Sequence, residues 1–187
     1  MNQPQDQPPG SPGRDFVRIL GVPVWNPGYD SLRAWLIKSS RNHDQLTLLA
    51  IANAHTMNLI QDQPAYREGM RMMDRIINDG VGMNIAAKMR KTCFVENLNG
   101  SDLIPRLLKD QQKPLRIFLY GAGETSSART ARALEGISVH IHVVGRLNGF
   151  DTDETEVVER INAATPDLLL VALGQPAQED FLCRNRD

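Results

Sequence analysis

Leu115-Arg116-Ile117-Phe118-Leu119-Tyr120-Gly121-Ala122-Gly123 reads as a strand, Leu115 to Tyr120, that runs into a glycine turn and opens a helix from Glu124 to Leu134. The same rhythm follows it. A strand is expected over Val139 to Val144, a helix over Asp153 to Ala164 and a strand over Leu168 to Leu173. Strands alternating with helices of this length require right-handed crossovers and a parallel sheet, which places ligands beyond the carboxyl ends of the strands. The fold class is therefore α/β, with a mostly parallel sheet flanked by helices.

Toward the amino terminus the signals are shorter. Leu46 to Ala52 is a nearly continuous apolar run, expected as a strand covered on both faces and stopping at Asn53-Ala54-His55. Thr56 to Ile60 gives a helical turn or two, and Pro64 opens a helix through Tyr66, Met70 and Met73, whose methionines read as core filler. A glycine turn, Asn78-Asp79-Gly80-Val81-Gly82, then leads into a helix from Gly82 to Lys91. Thr92 to Asn99 reads as irregular, and Ser101 or Asp102 as the cap of a helix holding Leu103, Leu107 and Leu108. Phe16 to Leu20 is expected as a strand ended by Gly21 and Pro23, followed by a helix capped at Asp30 or Ser31. Met1 to Arg14, rich in Pro, Gln, Gly and Ser, reads as a disordered tail, leaving 15–187 as a single core.

Bulk composition narrows the function classes. The 187 residues are 41 % hydrophobic and 23 % charged with net charge −1, which suits one globular domain burying roughly 70 % of its unfolded surface. Near-neutral charge with no basic run argues against a nucleic-acid partner. Cys93 and Cys183 have neither metal spacing nor a redox motif, so reduced thiols and a cytoplasmic setting are expected. No stretch reaches the roughly 18 uninterrupted apolar residues of a membrane span.

Four loops converge on the carboxyl edge of the expected sheet: Asn53-Ala54-His55, Gly121-Ala122-Gly123, Gly145 to Gly149, and Gly174-Gln175-Pro176. The Asp79 turn joins them. Gly80 and Gly82 let the backbone bend tightly and bring N–H groups to an anion at the helix N-terminus, with Asp79 facing whatever the anion carries; the alternative is an Asp-Gly turn with Asp79 as a helix cap. Gly121-Ala122-Gly123 has the placement of a dinucleotide fingerprint, but its third glycine position is Ser126, so it reads as a turn touching part of a nucleotide or as a structural turn. Gly174-Gln175-Pro176-Ala177-Gln178-Glu179 sets two amides and a carboxylate at a helix start, suited to reading a sugar hydroxyl or base edge, or to capping. Asp151-Thr152-Asp153 reads as a helix cap, with a metal-binding acid pair as the alternative. His140 and His142 share a strand face without a third ligand fixed by spacing. No nucleophile elbow is present.

Ile19-Leu20-Gly21-Val22-Pro23-Val24, Ala52-Asn53-Ala54, Asn78-Asp79-Gly80-Val81-Gly82, Gly100-Ser101-Asp102-Leu103, Leu119-Tyr120-Gly121-Ala122 and Val171 to Glu179, in this order, resemble the WecG/TagA/CpsF glycosyltransferases. The resemblance implies a Rossmann-like core and an inverting, metal-independent enzyme without a cofactor. It would move N-acetylmannosamine, glucose or a related sugar from a UDP-sugar donor to a polyprenyl-diphosphate-linked sugar acceptor in cell-surface polysaccharide synthesis. By the same resemblance Asp79 is the general base; Asn53, Gly80, Gly82, Asp102, Gln178 and Glu179 meet substrate; and Gly121, Ala122, Gly174 and Gln175 line the nucleotide. Relatives carry Thr where this chain has Ile51 and Arg where it has Asn97, and they continue past Asp187 into a basic tail. The chain is thus expected to be truncated, membrane-peripheral through that tail when full-length, and able to self-associate through apolar surface beside its last helix. Two rival readings are a nucleotide-binding module without catalysis and a dinucleotide-dependent oxidoreductase built on Gly121-Ala122-Gly123.

Overall fold

A computed structural model describes residues 15–150 and 153–186. The Met1 to Arg14 segment, Asp151-Thr152 and Asp187 lie outside the described residues. The chain enters as an antiparallel hairpin, β1 (Phe16–Ile19) and β2 (Val22–Trp25). Leu20 and Gly21 form its turn with φ of 50° and 84°, the left-handed pair whose twist matches that of the two strands. Strand β2 lies where Gly21 and Pro23 are expected to end the strand from Phe16. Proline removes one ladder donor, but a two-stranded ribbon tolerates it where Pro23 sits opposite Arg18.

Helix α1 (Tyr29–Ser40) precedes β3 (Leu49–Ala52), and α2 (Ala54–Asp62) and α3 (Pro64–Arg71) lead to β4 (Arg75–Asn78). Strands β3 and β4 are parallel, with Leu49 opposite Arg75 and Ala52 opposite Asn78. Helices α4 (Gly80–Met89) and α5 (Gly100–Lys109) complete this half. Neither Asp30 nor Ser31 caps α1: its N-cap is Gly28, and the Tyr29 N–H donates to Glu96 at 2.9 Å, a partner 67 residues away. The backbone N–H of Tyr29, with Arg106 beside it, holds the Glu96 carboxyl below its usual range. On α5 the cap is Asn99, not Ser101 or Asp102.

The second half runs β5 (Leu115–Gly121), α6 (Glu124–Glu135), β6 (Ile141–Leu147), α7 (Glu154–Ala164), β7 (Leu168–Ala172) and α8 (Ala177–Arg184). Its strands form one parallel sheet in the order β6-β5-β7, separate in pairing from β3-β4. Strand β5 explains why this half was legible. Ile117 and Leu119 face a core with Leu108 and Leu134, whereas Phe118 and Tyr120 face Val157 and Phe181 across the sheet. Each such side chain, fully buried, contributes about 1.5–3 kcal/mol. Strand β6 starts two residues late and runs through Gly145, which the sequence placed in a loop. A Cβ there would stand 2.3 Å from the Phe118 ring, so the glycine makes room for an aromatic from the neighbouring strand.

A further core joins the hairpin, β3, β4 and helices α2 to α4 through Val24, Ala50, Met57, Tyr66, Met70 and Met83. Met70 and Met73 are buried, as the spacing predicted. Helix α8 ties the halves together where the Cys183 thiol donates to the Gly69 carbonyl at 3.3 Å. Among the described residues no helix is long and apolar enough to cross a membrane.

Candidate active site

Strand β4 ends on Asn78, fully buried, and the Asp79 N–H continues the ladder by donating to the Ala52 carbonyl at 2.8 Å. Asp79 therefore leaves the sheet beside the end of β3. It is the N-cap residue of α4, yet its carboxylate makes no capping bond. Gly80, with φ +81°, turns the chain, and its N–H donates to the Asn97 side-chain oxygen at 3.1 Å. Partial burial with no compensating donor raises the Asp79 pKa. The capping alternative for Asp79 is thus not what the structure contains, and α4 begins two residues earlier than the sequence reading placed it. Asn78 donates from Nδ2 to the Glu96 carbonyl at 3.2 Å, while its buried Oδ1 has no partner among the described residues.

Asn53 sits at the end of β3 and caps α2. Its Oδ1 accepts from the Thr56 N–H at 3.1 Å, and the Asn53 N–H donates to Thr56 Oγ1 at 3.0 Å, a reciprocal capping box. The amide nitrogen is the half of Asn53 that the cap leaves over. Gln175 reaches the same threonine, donating from Nε2 to Thr56 Oγ1 at 2.8 Å across 119 residues. Gly82 presses against this turn as well, because a Cβ on it would lie 2.8 Å from Ala54 Cβ.

The second sheet meets the same edge. At the end of β5, Gly121 and the Ala122 that follows it take φ of 111° and 56°. The Ala122 N–H donates to the Ala172 carbonyl at 2.9 Å, and the Gly149 N–H to the Ala122 carbonyl at 3.3 Å. The fit is tight: a Cβ on Gly121 would come within 2.4 Å of Ala172 backbone, and one on Gly149 within 2.4 Å of the Leu173 side chain. Gly123, by contrast, has open space around it at the start of α6, whose first turn makes no side-chain cap. Arg146 lies beside that turn, paired with Glu124 and donating to Ser127 Oγ at 3.2 Å. Gly174 turns the chain at φ +80°, and its carbonyl accepts from the Gln178 N–H at 3.0 Å.

These contacts join Asp79, Gly80, Gly82, Asn53, Gln175, Gly174, Gly121 and Ala122 in one continuous edge built from both parallel sheets. Glu179 lies behind it. It is 3 % exposed, accepts from Gln178 Nε2 at 2.8 Å, and burial pushes its pKa up. The Tyr66 hydroxyl stands beside it, also raised by burial and by the neighbouring carboxyl. Both reach inward, so Glu179 holds the Gln178 amide rather than opening to the edge. Asp102 is also engaged locally, since its N–H donates to Asn99 Oδ1 at 3.0 Å and its carboxylate accepts from Asn99 Nδ2 at 2.8 Å. A groove of about 470 Å³ lined by Ile60, Arg67, Asp74 and Arg75 opens at the amino end of β4, the opposite end from Asp79.

Among the described residues no three His, Cys, Asp or Glu side chains gather where they could hold a metal. His140 precedes β6 and does not share a strand face with His142. Asp153 caps α7, accepting from the Thr155 and Glu156 N–H groups at 2.9 and 3.3 Å, whereas the rest of the Asp151-Thr152-Asp153 acid pair falls outside the described residues. Sequence reasoning missed Thr56 as the junction of Asn53 and Gln175, although Asn53-x-x-Thr56 has capping-box spacing. It missed Tyr66 too, which a helical Met and Tyr stripe conceals as core.

Comparison with known proteins shows the family. The model of the glycosyl transferase WecG/TagA/CpsF family matches residues 17–187. The chain is 35 % identical over 124 residues to an N-acetylglucosaminyldiphosphoundecaprenol N-acetyl-beta-D-mannosaminyltransferase of Bacillus spizizenii, a match covering 66 % of this chain and 48 % of the relative. Proteins of the same description match from Bacillus subtilis, at 32 % over 108 residues covering 57 % of this chain and 42 % of the relative, and from Staphylococcus aureus, at 26 % over 174 residues covering 89 % and 66 %. The matches thus span between 42 and 66 % of the length of these relatives.

Proposed function

Because this chain belongs to the WecG/TagA/CpsF glycosyl transferase family, we propose that it is the core of an enzyme passing N-acetylmannosamine from a UDP-sugar to N-acetylglucosamine on a polyprenyl diphosphate, with inversion and without a metal. The relatives' description supplies the sugar and the acceptor class. One observation carries the assignment of chemistry: Asp79 stands at the mouth of α4 with a carboxylate that caps nothing and a pKa raised by burial. An acid tied into a cap would hold its lone pairs against the helix. This one keeps them for a substrate proton.

In the proposed step the acceptor hydroxyl oxygen attacks the anomeric carbon, and its proton passes to Asp79. The bond from that carbon to the diphosphate oxygen breaks, and UDP leaves with the electron pair. The leaving charge needs donors, and the N–H groups at the start of α6, without a side-chain cap and beside the open surface at Gly123, would supply them. Asn53, through Nδ2, and Gln178 would orient sugar or acceptor, while Gly174 and Gln175 shape the nucleotide end.

The test is Asp79→Asn in a chain extended to the length of the relatives. Sugar transfer should fall by about 10² or more while UDP binding stays within a fewfold. Undiminished transfer removes Asp79 from the role. Binding of UDP with no transfer by the extended parent chain would favour a nucleotide-binding module instead.

A further inference from the structure

Helix α4 is apolar on two faces. Inward, Met83 and Ala87 are fully buried; outward, Val81, Ile85 and Met89 stand 71, 54 and 81 % exposed. Spaced four residues apart, the outer three fall within an arc of about 80° at 100° per residue. Single exposed apolar residues are ordinary, but three in register along one helix are not. Lys88, Arg90 and Lys91 surround the far end of this stripe, all exposed, and no acidic residue occurs between Gly80 and Val95 in a chain whose net charge is −1. None of these three cations is in an ion pair among the described residues.

We propose that α4 is an interfacial helix that lays Val81, Ile85 and Met89 into an anionic bilayer surface, with Lys88, Arg90 and Lys91 at the lipid phosphates. The helix dipole alone accounts for a cation in the last turn, but not for an apolar stripe pointing to solvent. An uncharged apolar partner would leave the three cations beside the stripe without counter-charge, whereas a lipid surface of opposite charge satisfies both the stripe and its rim. The proposal goes beyond the assignment of Asp79 and does not rest on it, since lipid binding is read without donor or acceptor.

The experiment is sedimentation of the 187-residue chain with vesicles of phosphatidylcholine and phosphatidylglycerol, compared with phosphatidylcholine alone. A dye on the exposed Cys93, two residues past Lys91, reports burial independently. Binding is expected only to the anionic vesicles, weakening with added salt. Ile85→Gln/Met89→Gln should weaken it at least tenfold, and replacing Lys88, Arg90 or Lys91 by Gln should weaken it roughly fivefold per cation. Circular dichroism and the unfolding midpoint establish that the variants are folded. Failure of the parent chain to bind anionic vesicles overturns the proposal, as does undiminished binding by the Ile85→Gln/Met89→Gln variant. A change of oligomeric state in that variant without vesicle binding would assign the stripe to a second copy and overturn it as well.

Discussion

Gly82→Ala tests how the two parts of the edge are held together. A Cβ at Gly82 would lie 2.8 Å from Ala54 Cβ, where ordinary contact begins at 3.4 Å, so α4 and α2 must part by at least about 0.6 Å. Ala54 has little freedom to retreat, because the Asn53 cap and the Gln175 to Thr56 bond anchor its turn. Overpacking of this kind costs about 1–3 kcal/mol, offset by up to about 1 kcal/mol from replacing a helical glycine. With the full offset the net loss is about 0–2 kcal/mol, a fall in Tm of up to roughly 8 °C for a chain of this size. The partner variant Ala54→Gly removes the opposing atom. In that background Gly82→Ala should be neutral or slightly stabilising, giving a coupling of about 1–3 kcal/mol in a double-mutant cycle read by urea unfolding. If the cost of Gly82→Ala is the same in both backgrounds, the close approach is not what seats α4 against the Asn53 turn.

Gly121→Ala is harsher, since its Cβ meets Ala172 backbone at 2.4 Å and its φ is +111°; a loss of about 3 kcal/mol or more should appear as absent soluble protein or a collapsed unfolding midpoint. Glu179→Gln should act in the other direction at neutral pH. Burial raises the folded pKa of Glu179 above its unfolded value, so the folded state holds the proton more tightly and the wild type loses stability as pH rises from the ordinary glutamate range through the raised value. The variant has no such loss. Unfolding from pH 4 to 8 should show a shallower decline for Glu179→Gln, and parallel curves would count against a buried, ionising carboxyl.

The parallel sheet around β5 was legible because its signal is local: an apolar run, a glycine turn and a helix, each within a few residues. What escaped depended on distant partners. The Leu20-Gly21 turn hid β2 behind Pro23, and the Phe118 ring that demands Gly145 comes from another strand. Glu96 caps α1 from 67 residues away, which no spacing in either segment announces. The candidate site divides in the same way. Asp79, Gly82, Asn53 and Gln175 could be found from turn chemistry and strand ends. That Glu179 turns inward to Tyr66 and Gln178 depends on how α3 and α8 pack, and that is set by tertiary contact rather than by the stretch Gly174 to Glu179.

Asn97, which the family resemblance sets where an arginine is expected, has a physical reading of its own in the structure. An aspartate at an N-cap normally accepts from the first-turn N–H groups and is lowered in pKa by doing so. Here the Gly80 N–H is taken by Asn97 Oδ1 at 3.1 Å, and Asp79 keeps a raised pKa. If the Asn97 bond to the Gly80 N–H is what holds the first turn of α4 away from the acid, Asn97→Ala should let the Asp79 carboxylate cap the Val81 or Gly82 N–H. Its pKa should then fall toward or below the ordinary aspartate value, followed by carboxyl NMR across an acid titration. Stability should drop by only about 0.5–1 kcal/mol, because the exposed Gly80 N–H turns to water and the cap gained offsets part of the bond lost. An Asp79 pKa unmoved by Asn97→Ala would mean that burial alone governs the acid, and the asparagine would then have no part in keeping it available.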